Sequence, residues 1–128
     1  MAQPSPTHVT CVSEQGVLVF TLTTPQIHGD DVAEALRQQL LDAVSQTGAA
    51  KVVVDFHKVQ YLGSAGFRPL LSLYRKLQSG GGRLVFCNLC PEIVQVLLST
   101  RLITTSRSTI APFEMAADLP AALARVNS

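Results

Sequence analysis

The hydrophobic rhythm of the chain changes several times, and each change predicts an element. HVTCVSE and VLVFTL, separated by Gln15 and Gly16, read as two strands joined by a tight turn. TTPQIHG, from Thr23 to Gly29, has loop chemistry. Val32, Leu36, Leu40 and Val44 then recur at helical spacing, predicting a helix that Asp30 or Asp31 can cap and that runs to about Gln46. Gly48 ends it. KVVVDF is a continuous apolar run of the kind buried on both faces of a sheet, which predicts a central strand. Leu70, Leu73, Tyr74 and Leu77 mark a second helix, stopped at Gly80, Gly81 and Gly82. RLVFC is the next strand. Pro91 opens a third helix carrying Ile93, Val94, Leu97 and Leu98, since a first-turn proline forfeits no hydrogen bond. A short strand is expected at residues 107–110. AADLPAALARV closes the chain as a helix with Leu119, Ala122, Leu123 and Val126 inward. Strands alternating with helices after an initial hairpin predict an α/β fold, with a mixed sheet of about five strands and about four helices.

Composition narrows the function classes. The length of 128 residues suits one domain, expected over 8–128 behind a flexible tail at 1–7. With 47% apolar and 15% charged residues, the chain has the makings of a folded core. The formal net charge is +1 and the Lys and Arg residues are scattered, which argues against a phosphate-tracking nucleic-acid surface. No window approaches the roughly 18 to 20 apolar residues that span a bilayer, and MAQPSPTHVT lacks an apolar signal segment. We therefore expect a soluble, cytoplasmic protein without membrane insertion. Its three cysteines, an odd number, are expected as free thiols.

Several motifs could carry chemistry. Cys87 and Cys90 form CNLC between a strand and a helix, where a thioredoxin-like redox pair would sit and where a helix N-terminus lowers a thiol pKa. The opposing reading makes Cys87 the last, inward-facing residue of its strand, a small buried hydrophobe. His8, His28 and His57 stand apart in sequence and read as surface residues, so neither a metal nor another cofactor is expected. The Gly80 to Gly82 run follows a helix, whereas a phosphate-cradling loop precedes one. GSAG, from Gly63 to Gly66, does join a strand to a helix, but it has the spacing of neither a dinucleotide fingerprint nor a nucleophile elbow.

Ser64 is then the residue of interest. It can cap the second helix, serve as a nucleophile, or accept a phosphate, which a helix N-terminus tolerates because its free N–H groups and dipole favour negative charge. Pro69 bears on the choice. A helix capped by Ser64 would place Pro69 at its fifth position, at the cost of a backbone bond to Ala65. A helix that begins near Gly66 leaves Ser64 in the loop.

The order of elements, together with KVVVDFHKVQYLGSAGFRPLLSLYRKL, resembles the STAS family of bacterial anti-sigma-factor antagonists from about Val9 to Val126. In that family the serine of a D-S-[ST]-G or S-S-A-G motif is phosphorylated by a partner kinase that is also the anti-sigma factor. The resemblance implies Ser64 as acceptor and a non-enzymatic switch module released from its partner by the phosphate. It implies a partner patch of Asp30, Asp31, Gly63, Ala65, Gly66 and Arg68, with Asp30 or Asp31 as the family's acidic residue at the start of the first helix. A phosphatase is a further partner it admits. Gly63 stands where the best-known antagonists often carry Asp. The alternatives are an unphosphorylated STAS scaffold subunit of a transport or stress-sensing complex and, from another class, a CNLC thiol oxidoreductase.

Overall fold

The computed structural model of the chain describes residues 8–14, 16–99, 103–104 and 113–127. In chain order the elements are β1 (Val9–Glu14), β2 (Val17–Leu22), β3 (Gln26–Ile27), α1 (Asp30–Thr47), β4 (Lys51–Asp55) and β5 (Tyr61–Leu62). A 3-10 turn (Ser64–Gly66) leads into α2 (Phe67–Ser79), followed by β6 (Arg83–Cys87), α3 (Pro91–Ser99), β7 (Ile103–Thr104), β8 (Phe113–Ala116) and α4 (Leu119–Val126). The hairpin is antiparallel, with Val9 opposite Leu22 and Glu14 opposite Val17. From β2 onward every pairing in the main sheet is parallel, in the order β1-β2-β4-β6-β8-β7. A mixed α/β fold with an initial hairpin is what the rhythm of the sequence predicts.

Alternation along the central strands explains the layers. Leu18, Phe20, Val52, Val54, Leu84 and Phe86 face one way and pack with Leu36 and Leu40 of α1, Leu70, Leu73 and Leu77 of α2, and Ile93 and Leu97 of α3. Val17, Val19, Val53, Val85 and Cys87 face the other way, against Ala122, Leu123 and Val126 of α4. Strand β4, inside the sheet and buried from Val52 to Asp55, is central as its unbroken apolar run requires.

The C-terminal third departs from expectation. The described sheet has six strands because β7 and β8 both join it, whereas the strand expected at residues 107–110 lies outside the described residues. Ala116 belongs to β8, and the last helix starts only at Leu119. Asp118 sets that boundary, its side chain accepting a 2.9 Å bond from the Ala121 N–H, with Pro120 in the first turn. At the other end of the sheet Gly82 permits a close approach: a Cβ there would lie 2.5 Å from the carbonyl oxygen of Ala50.

Candidate functional site

The corner that carries Ser64 is built from Asp55 outward. This buried carboxylate ends β4 and accepts bonds from the His57 backbone N–H at 2.9 Å and from Asn88 Nδ2 at 3.1 Å, while His57 Nδ1 lies 3.0 Å from its other oxygen. Asn88 reaches it from the end of β6 with a positive φ of 58°, a conformation Asn tolerates better than most residues. The chain then runs beside the segment between β2 and α1. Gln60 and Tyr61 both donate to the Pro25 carbonyl, at 2.7 and 3.1 Å, and Gly63 donates to Ile27 at 2.8 Å. Between those bonds, β3 and β5 pair in parallel through Gln26 with Tyr61 and Ile27 with Leu62. Backbone from both sides thus fixes the corner before Ser64 is reached.

Ser64 opens the 3-10 turn, is exposed, and caps neither that turn nor α2. The helix-cap reading of its hydroxyl is therefore not the one realised. The residues in the capping positions are Gly63 for the turn and Gly66 for α2, without side-chain bonds. Because α2 starts at Phe67, Pro69 falls in its first turn, where no backbone partner is lost. Gly63 and Gly66 are both buried, and Ala65 is half-buried. Their smallness matters more than their surface. A Cβ at Gly66 would come within 2.5 Å of Leu62 Cδ1 and 3.0 Å of Ile27 Cγ2, and one at Gly63 within 3.2 Å of His28 Cβ. Gly63 is in an extended conformation, φ −79° and ψ 171°, which any residue adopts.

Helix α1 starts beside this corner. Asp30 and Asp31 are its first residues rather than its cap, which is Gly29 with φ 85°. Both carboxylates sit in the first turn, where the helix dipole favours them. Asp30 rather than Asp31 meets α2, pairing with the guanidinium of Arg68 one turn beyond Ser64. Behind this pair the two helices enclose an open groove of about 320 Å³, lined on α1 by Asp30, Glu34 and Arg37 and on α2 by Arg68, Ser72 and Arg75. Arg37 pairs with Glu34 at 3.2 Å. The structure therefore brings Ser64, Arg68 and Asp30 to one end of the α1–α2 layer and leaves Asp31 exposed on the first turn.

Sequence reasoning did not single out Tyr61, which is 54% exposed and stands edge-on to His28 with ring centroids 6.1 Å apart, just ahead of Gly63. An aromatic residue at a turn was its only sequence signal. The CNLC pair offers little redox chemistry. Cys87 is fully buried, and burial foremost, then the negative charges of Asp55 and Asp118, push its thiol up to about 12. A thiol so protonated at neutral pH is a poor nucleophile. Cys90 is half-buried, its thiol 3.8 Å from the Gln60 carbonyl.

Residues 8–111 match the STAS domain family, most of the chain. The chain belongs to the STAS domain family. Within it, a 64-residue stretch of this STAS protein is 36% identical to a candidate anti-sigma factor antagonist of Bordetella bronchiseptica, covering 50% of this chain and 54% of that protein. The crystal structure of an anti-sigma factor antagonist from Mycobacterium paratuberculosis is 25% identical, covers 100% of both chains and superimposes with a TM-score of 0.74. The Bacillus cell-fate determinant SpoIIAA, solved in its phosphorylated form, is 21% identical over 92% of this chain and 98% of its own, with a TM-score of 0.65. SpoIIAA is also solved unphosphorylated. At that identity the likeness to SpoIIAA is one of fold. Among the described residues of this STAS domain, no helix is long and apolar enough to cross a membrane.

Proposed function

We propose that this STAS domain is a non-enzymatic switch of the anti-sigma factor antagonist type, with Ser64 as its phosphorylation site. Unmodified, it binds a serine kinase that is also the anti-sigma factor. The kinase transfers the γ-phosphoryl group of ATP to Ser64 Oγ, with release of ADP and the hydroxyl proton, and the modified domain dissociates. A phosphatase resets it. The observation that carries this reading is the state of Ser64: an exposed hydroxyl engaged in no cap, on a corner whose backbone is tied down on both sides. Asp30 and Arg68, at the same end of the α1–α2 layer, and exposed Asp31 make up the partner surface with it, and buried Gly63 and Gly66, with Ala65, give the corner its shape. The names of the Bordetella and Mycobacterium relatives support the antagonist role, and the two solved forms of SpoIIAA support a phosphate on this fold.

Phosphoserine carries about −1.5 to −2 charge at pH 7 where the partner meets a neutral hydroxyl. Helix-dipole attraction returns only about 0.3–1 kcal/mol and acts in free and bound protein alike, so it cannot rescue the complex. A loss of about 3 kcal/mol corresponds to about a hundredfold in affinity. The test starts with the partner recovered by pulldown and identified by mass spectrometry. Ser64→Ala is expected to bind it and resist phosphorylation, whereas Ser64→Asp is expected to bind about a hundredfold more weakly. Equal affinities, or a phosphate mapped to another residue, would favour a scaffold that never releases its partner.

A further inference from the structure

We propose that Arg68 is the receptor of the phosphate on Ser64, a clasp that exchanges Asp30 for the phosphoserine when the switch is thrown. The inference rests on Ser64 being the acceptor, as proposed above. Ser64 opens the 3-10 turn that leads into α2, and Arg68 is the second residue of that helix, four residues on. Arg68 thus stands about one helical turn beyond Ser64, within the span of a long side chain. Its guanidinium, now on Asp30, reaches a phosphate at Ser64 by turning about its flexible side chain.

The present partner of Arg68 is easily displaced. In the Arg68–Asp30 pair the two side chains are 66% and 83% exposed, and ion pairs so open to water contribute little. A phosphate monoester offers more charge than a carboxylate and more oxygens to the guanidinium fork. No helix cap has to be broken at Ser64, and the first turn of α2 holds no acidic residue to repel a phosphate. The groove behind Arg68 adds to the attraction, because Arg37, Arg68 and Arg75 face only two carboxylates there, Asp30 and Glu34.

The exchange changes what a partner meets. Before modification the surface presents a neutral hydroxyl beside a balanced ion pair. Afterwards the guanidinium is turned to the phosphate, and Asp30 stands without it at the start of α1. Release then follows from a rearranged surface as well as from added charge.

The proposal is tested on the full chain with phosphoserine incorporated at position 64 during translation, followed by 31P NMR across pH. The second ionisation of phosphoserine lies near about 6 in the absence of partners. With Arg68 in place we expect it lower, and in Arg68→Gln higher than in the wild type by about 0.5 pH unit, as suits an opposite charge in contact at an exposed site. Arg68→Lys should fall between the two. The difference should shrink as salt rises to about 1 M, as it does between exposed charges. Identical midpoints for the wild type and Arg68→Gln at low salt would overturn the clasp. Because Arg68 is exposed, both variants are expected to melt like the wild type. If the partner kinase never modifies Ser64, the proposed function fails while this titration still reports on the clasp.

Discussion

Gly66 decides how Ser64 is presented, because it leaves room for the two side chains beneath the corner. An alanine Cβ at that position would be 2.5 Å from Leu62 Cδ1 and 3.0 Å from Ile27 Cγ2, and both side chains are buried. Neither can move without displacing its own neighbours, and overpacking of this kind costs about 1–3 kcal/mol. We therefore expect Gly66→Ala to lower the free energy of unfolding by that much, read in urea as a lower midpoint at unchanged slope, with slower phosphorylation of Ser64 by the partner kinase. A wild-type midpoint would show that the corner has slack. The conformation of Gly66 itself is an ordinary right-handed one, φ −68° and ψ −16°. Such a glycine is hard to recognise in sequence, since its requirement comes from Leu62 and Ile27, which only the folded corner brings together against it. Burial of Cys87 was legible, by contrast, because RLVFC is an apolar run whose alternation carries Cys87 with Val85 to the α4 face.

At the scale of elements, the corner hangs on a carboxylate at the end of a strand. Asp55 satisfies the His57 N–H and the Asn88 amide, and it links the exits of β4 and β6. Removing it leaves both donors without their partner at a largely buried site, which costs about 1–3 kcal/mol. We expect Asp55→Ala to unfold earlier by about that amount and, below the transition, to speed hydrogen exchange of the Gln60, Tyr61 and Gly63 amides, whose acceptors lie in the preceding loop. Unchanged exchange there would mean that the pairing with Pro25 and Ile27 suffices without the strand-end anchor. The longer elements were legible because burial imposes a period over many residues, as in α1 with Leu36, Leu40 and Val44. The β3–β5 pair was not, since two-residue strands are too short to show a period of two. The start of α2 was legible as a choice between two registers, and Pro69 named the one that would strain. Asp30 and Asp31 could not be told apart by sequence, because the choice depends on which one meets Arg68 across two helices.

At the scale of the whole molecule, the second face of the sheet depends on α4, and an ion network ties that helix down. Glu114 of β8 takes two bonds from Arg83 of β6, at 2.7 and 2.8 Å, and one from Arg125 of α4 at 3.2 Å. Arg125 also donates to the Met115 carbonyl at 3.2 Å. One carboxylate thus links two sheet strands and the covering helix. The hydrogen bond from Arg83, foremost, holds the Glu114 carboxyl below the usual range, and Arg125 adds to the effect against the cost of burial. The unfolded chain, with an ordinary glutamate near about 4.3, then takes up its proton at a higher pH than the folded chain does. The stabilisation is therefore fully present above about pH 4.3 and is lost as pH falls through the lower, folded value. Since the network is still partly in contact with water, we expect Glu114→Gln to cost only about 1 kcal/mol at neutral pH. In paired urea titrations the gap between wild type and variant should hold from pH 7 down to about 5, then close with further acidification. A gap that widens on acidification would reverse the sign and remove Glu114 as an acid-sensitive tie between α4 and the sheet.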